Sequence, residues 1–114
     1  MPARILLYRL PDDLANELRD ALITSHIVPA IEEETKLSAI QWDAFDLVFC
    51  PSSLIVLSSV LEAAKGKRPH VIATSRFPES DEWIDALDLG AADYCAPPFE
   101  QPQLRWLIDR HIAA

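Results

Sequence analysis

Apolar runs of four to six residues alternate along this chain with stretches in which apolar residues recur at helical spacing. Strands buried on both faces read as continuous apolar runs, and crossover helices need only one apolar stripe, so the alternation predicts βαβ units and a parallel sheet. Arg4 to Tyr8 reads as the first strand. Pro11-Asp12-Asp13 then opens a helix, with proline in a tolerated early position and Leu14, Leu18 and Leu22 as its buried stripe. His26 to Ile31 is a weaker second strand. Pro29 removes one ladder donor from it and places it at a sheet edge. The acidic run Glu32-Glu33-Glu34 reads as a solvated connection to a short helix over Thr35 to Trp42, which buries Leu37, Ile40 and, at its end, Trp42.

Asp46 to Cys50 is the clearest strand. Pro51-Ser52-Ser53 starts a helix that turns Leu54, Leu57, Val60, Leu61 and Ala64 inward. After a turn at Gly66, His70 to Thr74 forms the fourth strand. Ser80 or Asp81 caps the next helix, whose Ile84 and Leu87 point to the core before Gly90 ends it. Asp93 to Ala96 is a short fifth strand. The last helix, Gln101 to Ile112, carries Leu104, Leu107, Ile108, His111 and Ile112 on one face.

The expectation is a single domain over residues 1–114: an α/β, flavodoxin-like (βα)5 doubly wound fold with a five-stranded parallel sheet. Right-handed crossovers leave few arrangements, and strand order 2-1-3-4-5 is a common one. Its functional crevice lies at the carboxyl ends of the first and third strands, here Tyr8-Arg9-Leu10 and Cys50-Pro51-Ser52.

Composition narrows the function. Half of the 114 residues are apolar, which suits one globular core. No apolar run approaches the roughly 20 residues that span a bilayer, and no signal-type segment opens the chain, so the expectation is a cytoplasmic protein without a membrane partner. The net charge of −8 argues against direct nucleic-acid binding, which needs clustered cations. Lys65-Gly66-Lys67-Arg68 is the lone basic cluster and reads as a solvated turn.

The run Leu89-Gly90-Ala91-Ala92-Asp93-Tyr94-Cys95-Ala96-Pro97-Pro98-Phe99 resembles the Gly-Ala-Asp-Asp-Tyr-x-x-Lys-Pro-Phe run that closes the receiver domain of bacterial response regulators (CheY-like). The resemblance implies a phosphoryl-accepting aspartate, an acidic pair holding Mg²⁺ and a lysine. At those positions this chain has Pro51, the pair Arg9 and Leu10, and Pro97. A cation and an aliphatic side chain cannot hold a hard metal ion, and a proline has neither charge nor donor. Asp12 and Asp13 lie close by, but past Pro11, where acidic residues are simply favoured at a helix N-terminus. Thr74 and Tyr94 match the family's two switch positions, although both also suit ordinary packing. The resemblance therefore implies an atypical pseudo-receiver lacking the phosphorylation site. It would be neither an enzyme nor cofactor-dependent, and would act through protein partners in two-component signalling or transcription control. Receivers pair through the face of the fourth helix, fifth strand and fifth helix. Trp83, Tyr94 and Trp106 are the candidate interface residues there, homodimerisation included.

Two rivals come from the residues themselves. Cys50-Pro51-Ser52-Ser53 has the Cys-x-x-Ser spacing of a monothiol glutaredoxin, which makes a small thiol-redox protein using Cys50 the alternative function. A buried structural thiol is the competing reading. Cys50 and Cys95 fall on strands separated by another strand, too far apart for a disulfide. His26, His70 and His111 have no metal-ligand spacing, and His111 reads as a core or boundary residue. Arg9 offers a third option, an anion-binding crevice, though without a glycine-rich loop.

Overall fold

The strand pattern is realised as a sheet of five parallel strands in the order β2-β1-β3-β4-β5. The structure is a computed structural model that describes residues 4–24, 30–34, 36–76 and 80–111. The strands are β1 (Arg4–Tyr8), β2 (Ala30–Glu34), β3 (Leu47–Pro51), β4 (His70–Thr74) and β5 (Asp93–Cys95). The helices are α1 (Asp12–Thr24), α2 (Leu54–Ala64), α3 (Ser80–Leu89) and α4 (Gln101–His111).

Because side chains alternate across a strand, each apolar run feeds two cores at once. Ile5, Leu7, Phe49, Ile72 and Cys95 face α1 and α4, meeting Leu14, Leu18 and Leu22 of one helix and Leu104, Leu107 and Ile108 of the other. Leu6, Tyr8, Val48, Cys50, Val71, Ala73 and Tyr94 face the opposite way, onto Leu57, Val60 and Ala64 of α2 and Ala86 of α3. Each fully buried leucine contributes roughly 1.5–3 kcal/mol relative to exposure. The stripes of α1 and α4 therefore fall where their spacing places them. Ile112 and residues 25–29, with Pro29, lie outside the described residues.

Four expectations change. The second strand occupies Ala30–Glu34, so Glu32, Glu33 and Glu34 are strand residues and not a connection. As expected, the strand sits at the sheet edge, where acidic side chains reach both water and arginines. Arg4 pairs with Glu32 at 2.8 Å, and Arg19 pairs with Glu33. Charge on an edge strand also discourages pairing with other chains.

The second crossover is not an α-helix over Thr35–Trp42 but two 3₁₀ turns, Leu37–Ala39 and Trp42–Ala44. An isolated helix that short is marginal, and the anchors it can bury, Trp42 and Phe45, lie three residues apart. Leu37 and Ile40 are only partly buried.

At the start of α2, Leu54 faces solvent, and Leu61 is half-buried. On α3 the inward residue is Ala86, while Ile84 and Leu87 are 56% and 41% exposed. Glu82, one turn before Ala86, accepts a hydrogen bond from the buried Ser52 hydroxyl. That bond and the small Ala86 turn the 82/86 side of α3 toward the sheet, which sends residues 83, 84 and 87 outward. The helix closes at Gly90, whose φ of +121° a side-chain-bearing residue would resist.

Candidate functional site

Parallel pairing lines up the carboxyl ends of the strands. Pro51 pairs with Thr74, and Thr74 with Cys95. Backbone bonds continue the edge beyond the ladder, with Ser52 N–H donating to Thr74 O at 3.1 Å, Ser75 N–H to Cys95 O at 3.2 Å and Arg9 N–H to Glu34 O at 3.3 Å. The structure thus brings Arg9, Pro51, Thr74 and the segment leading to Pro97 to one edge, where the crevice is expected.

The chemistry at that edge is sparse. Arg9 is exposed, has a φ of +53° unusual for a residue with a side chain, and makes no ion pair among the described residues. Leu10 is buried in the core beneath α1. Pro51 is the last residue of β3 and carries no ionisable group. Pro97 is half-buried and joined to Pro98 by a cis bond. Thr74 is buried, with its hydroxyl donating only a long 3.4 Å bond to Ile72 O.

Asp12 and Asp13 sit in the first turn of α1, and Asp13 is held by Arg76 at 3.0 Å. Arg76, just beyond β4, also donates to Glu17 at 2.5 Å. That hydrogen bond leads in raising the guanidinium above its ordinary pKa, with Asp13 adding to it. Among the described residues no group of three or more His, Cys, Asp or Glu is placed to hold a metal ion. His70 and His111 do meet, with ring centroids 5.2 Å apart, but His111 Nε2 is engaged by Asp93 Oδ2 at 3.1 Å. This contact joins the end of α4 to the start of β5, a boundary role for His111. His26 lies outside the described residues.

Cys50 is fully buried, and desolvation pushes its thiol up to about 12. A reactive thiol needs a lowered pKa and access to solvent, and Cys50 has neither. The thiol-redox alternative is not supported. Cys95 is likewise buried and pushed up to about 12, chiefly by burial and then by Asp93. Both cysteines are free.

The apolar surface lies elsewhere. Trp83 on α3 is half-exposed, and its ring lies 6.1 Å from that of Tyr94 at a 33° tilt. Tyr94 is buried, and its hydroxyl has no hydrogen-bond partner among the described residues. Trp106 stands on the solvent side of α4 with the Arg110 guanidinium 4.9 Å above its ring. Trp83 and Tyr94 thus form a pair, while Trp106 keeps to Arg110. Sequence reasoning missed the Ser52–Glu82 and Arg76–Glu17 links, because no spacing rule joins residues 30 and 59 apart. Among the described residues, no helix is long and apolar enough to cross a membrane.

No protein-family model matches the chain. It is 29% identical to the response regulator protein FleR of Pseudomonas aeruginosa over 97% of its own length and 25% of that protein's. The chain therefore spans about a quarter of the length of the curated relative it matches. Among solved structures it is similar to a response regulator from Thermotoga maritima, with TM-score 0.79, 17% identity and complete coverage of both chains (100% each). The signal receiver domain of NarL from Mycobacterium tuberculosis gives TM-score 0.78 at 16% identity, covering 99% of this chain and 98% of that one. The CheY-like protein TadZ from Pseudomonas aeruginosa gives 0.74 at 15% identity, covering 100% and 96%. The chain has the receiver fold of response regulators.

Proposed function

We propose that this domain is a regulatory receiver-type module that works through protein–protein contact without phosphorylation, in bacterial two-component signalling or transcription control. One observation carries the reading. The positions at the carboxyl edge of the sheet are Arg9, Leu10, Pro51 and Pro97, which offer no oxygen ligands for Mg²⁺, no carboxylate for a phosphoryl group and no ammonium beside it. Phosphoryl transfer rests on positioned metal and charge, and the fold alone supplies neither. Asp13 is engaged by Arg76. Thr74 and Tyr94 keep their places as packed residues with no phosphoryl group to follow. The module is regulatory and not catalytic, and it needs no cofactor.

The output is assigned to the face of α3, β5 and α4, where Trp83 and Trp106 are about half-exposed at 50% and 52%. Tryptophans left in that state are the side chains most enriched among interface anchors. A homodimer through this face would set the same tryptophan-bearing surface of two copies against each other. The likeness to the longer FleR favours a module that serves as one part of a larger regulator. It would take a protein partner, with no direct contact to nucleic acid, and act in the cytoplasm.

The test is a set of ¹H–¹⁵N spectra before and after adding Mg²⁺ with beryllofluoride. The expected outcome is no site-specific change at residues 9–12, 51–53 or 74. A saturable shift confined to those residues overturns the reading.

A further inference from the structure

We propose that the groove between α2 and α3 is a second docking site, separate from the tryptophan face, and that its occupant is a cationic amphipathic helix of another protein. The observation starts with α3 itself. A crossover helix in this fold ordinarily buries a stripe, yet among its described side chains only Ala86 is buried. Trp83, Ile84 and Leu87 leave on the side of Ala86 that points away from Glu82. Leu89 leaves on the other side, toward α2.

There Leu89 and Leu54 of α2 line an open groove of about 470 Å³, which Ser58, Asp85 and Asp88 complete. Ile55, 82% exposed, stands next to Leu54 in the first turn of α2. Two large aliphatic side chains, Leu54 and Leu89, share this groove, where a surface normally shows such residues singly.

Charge decides what fits. Neither α2 nor α3 contains a Lys or Arg. Asp85 and Asp88 make no ion pair among the described residues, whereas the carboxylates of Asp13, Glu17, Glu32 and Glu33 are taken by arginines. The complement of an aliphatic floor edged by free carboxylates is a segment with aliphatic anchors and flanking Lys or Arg. Two helices form the walls and the sheet edge is not accessible between them, so the segment that packs there is a helix seated in the groove. A second copy of this chain is a poor occupant. Its net charge of −8 opposes an acidic groove, and its exposed Arg105 and Arg110 lie on α4, in the tryptophan face.

The probe is a synthetic helix of roughly 18 residues with leucines at i, i+3, i+4 and i+7 and lysines elsewhere, beside the same peptide with glutamate for each lysine. It is titrated into the ¹⁵N-labelled chain. The lysine peptide is expected to shift the amides of residues 54–58 and 85–89, and added salt to weaken it. Asp85→Lys with Asp88→Lys is expected to weaken it roughly tenfold. Both positions are exposed, and circular dichroism checks that the double variant keeps its fold. The proposal is overturned by no shift at those amides, by equal binding of the glutamate peptide, by unchanged affinity in the double variant, or by shifts confined to the Trp83 and Trp106 indoles. Self-association that Leu54→Asp abolishes would place a second copy in the groove, which also overturns it. These readouts do not involve the residues followed with beryllofluoride, so either reading can fail alone.

Discussion

Removing a single oxygen, in Tyr94→Phe, is expected to stabilise this protein. Tyr94 is buried in the core between the sheet and α3, and its hydroxyl finds no hydrogen-bond partner among the described residues. In the unfolded chain the same hydroxyl is hydrated, so folding costs the desolvation of an unmatched donor, about 1–3 kcal/mol. Phenylalanine keeps the ring, its burial and its tilted contact with Trp83 at 6.1 Å. The substitution should recover the lower part of that range, about 1 kcal/mol. For a domain of this size that raises Tm by about 4 °C and moves the guanidinium midpoint upward with m unchanged. Tyr94→Ala marks the other limit, because losing the ring costs about 3–5 kcal/mol. The assay is equilibrium unfolding followed by far-UV circular dichroism. If Tyr94→Phe lowers stability by about 1 kcal/mol or more, the hydroxyl is satisfied in the folded protein and the reasoning fails.

Three further outcomes follow from burial. Cys50 and Cys95 should not react with Ellman's reagent in the folded protein at pH 8 and should both react on unfolding; fast labelling of native protein would contradict their burial. Each thiol titrates near 8.5 when unfolded and about 12 when folded, so between those values the unfolded state binds fewer protons. Their contribution is complete below about pH 8.5 and is lost as pH rises, at about 1.4 kcal/mol per pH unit per thiol. Denaturant midpoints from pH 8 to 10.5 should show that slope, and a Cys50→Ala, Cys95→Ala variant should lack it. Leu104→Ala, at a fully buried site, should cost about 2–5 kcal/mol, and Leu87→Ala, at an exposed one, no more than about 0.5 kcal/mol. Equal effects in the two leucine variants would mean that α3 is turned differently.

The sheet was legible because each apolar run is long enough to fill both faces of a central strand, and because parallel order with right-handed crossovers leaves few topologies. The stripes of α1 and α4 were legible for a related reason, since each has one apolar face and no competitor. In α3 two faces compete. Trp83, Ile84 and Leu87 form the more apolar stripe, while Ala86 and Glu82 form the smaller one. Hydrophobicity favours the first, and the structure uses the second. The Glu82 side is the one that meets Ser52, a residue outside the helix.

The candidate site divides along the same line. That Arg9, Leu10, Pro51 and Pro97 belong to strands ending on one edge follows from order and register, so their lack of acidic and cationic partners could be read from residue types alone. The left-handed backbone at Arg9, the tie from Arg76 to α1 and the unpartnered Tyr94 hydroxyl could not. The sequence by itself determined which residues seek burial and where the strand ends meet, because those depend on local periodicity and chain topology. Only the tertiary structure decided which face of α3 turns outward and which carboxylates stay unpaired. Those outcomes depend on contacts between residues tens of positions apart, which local periodicity does not specify.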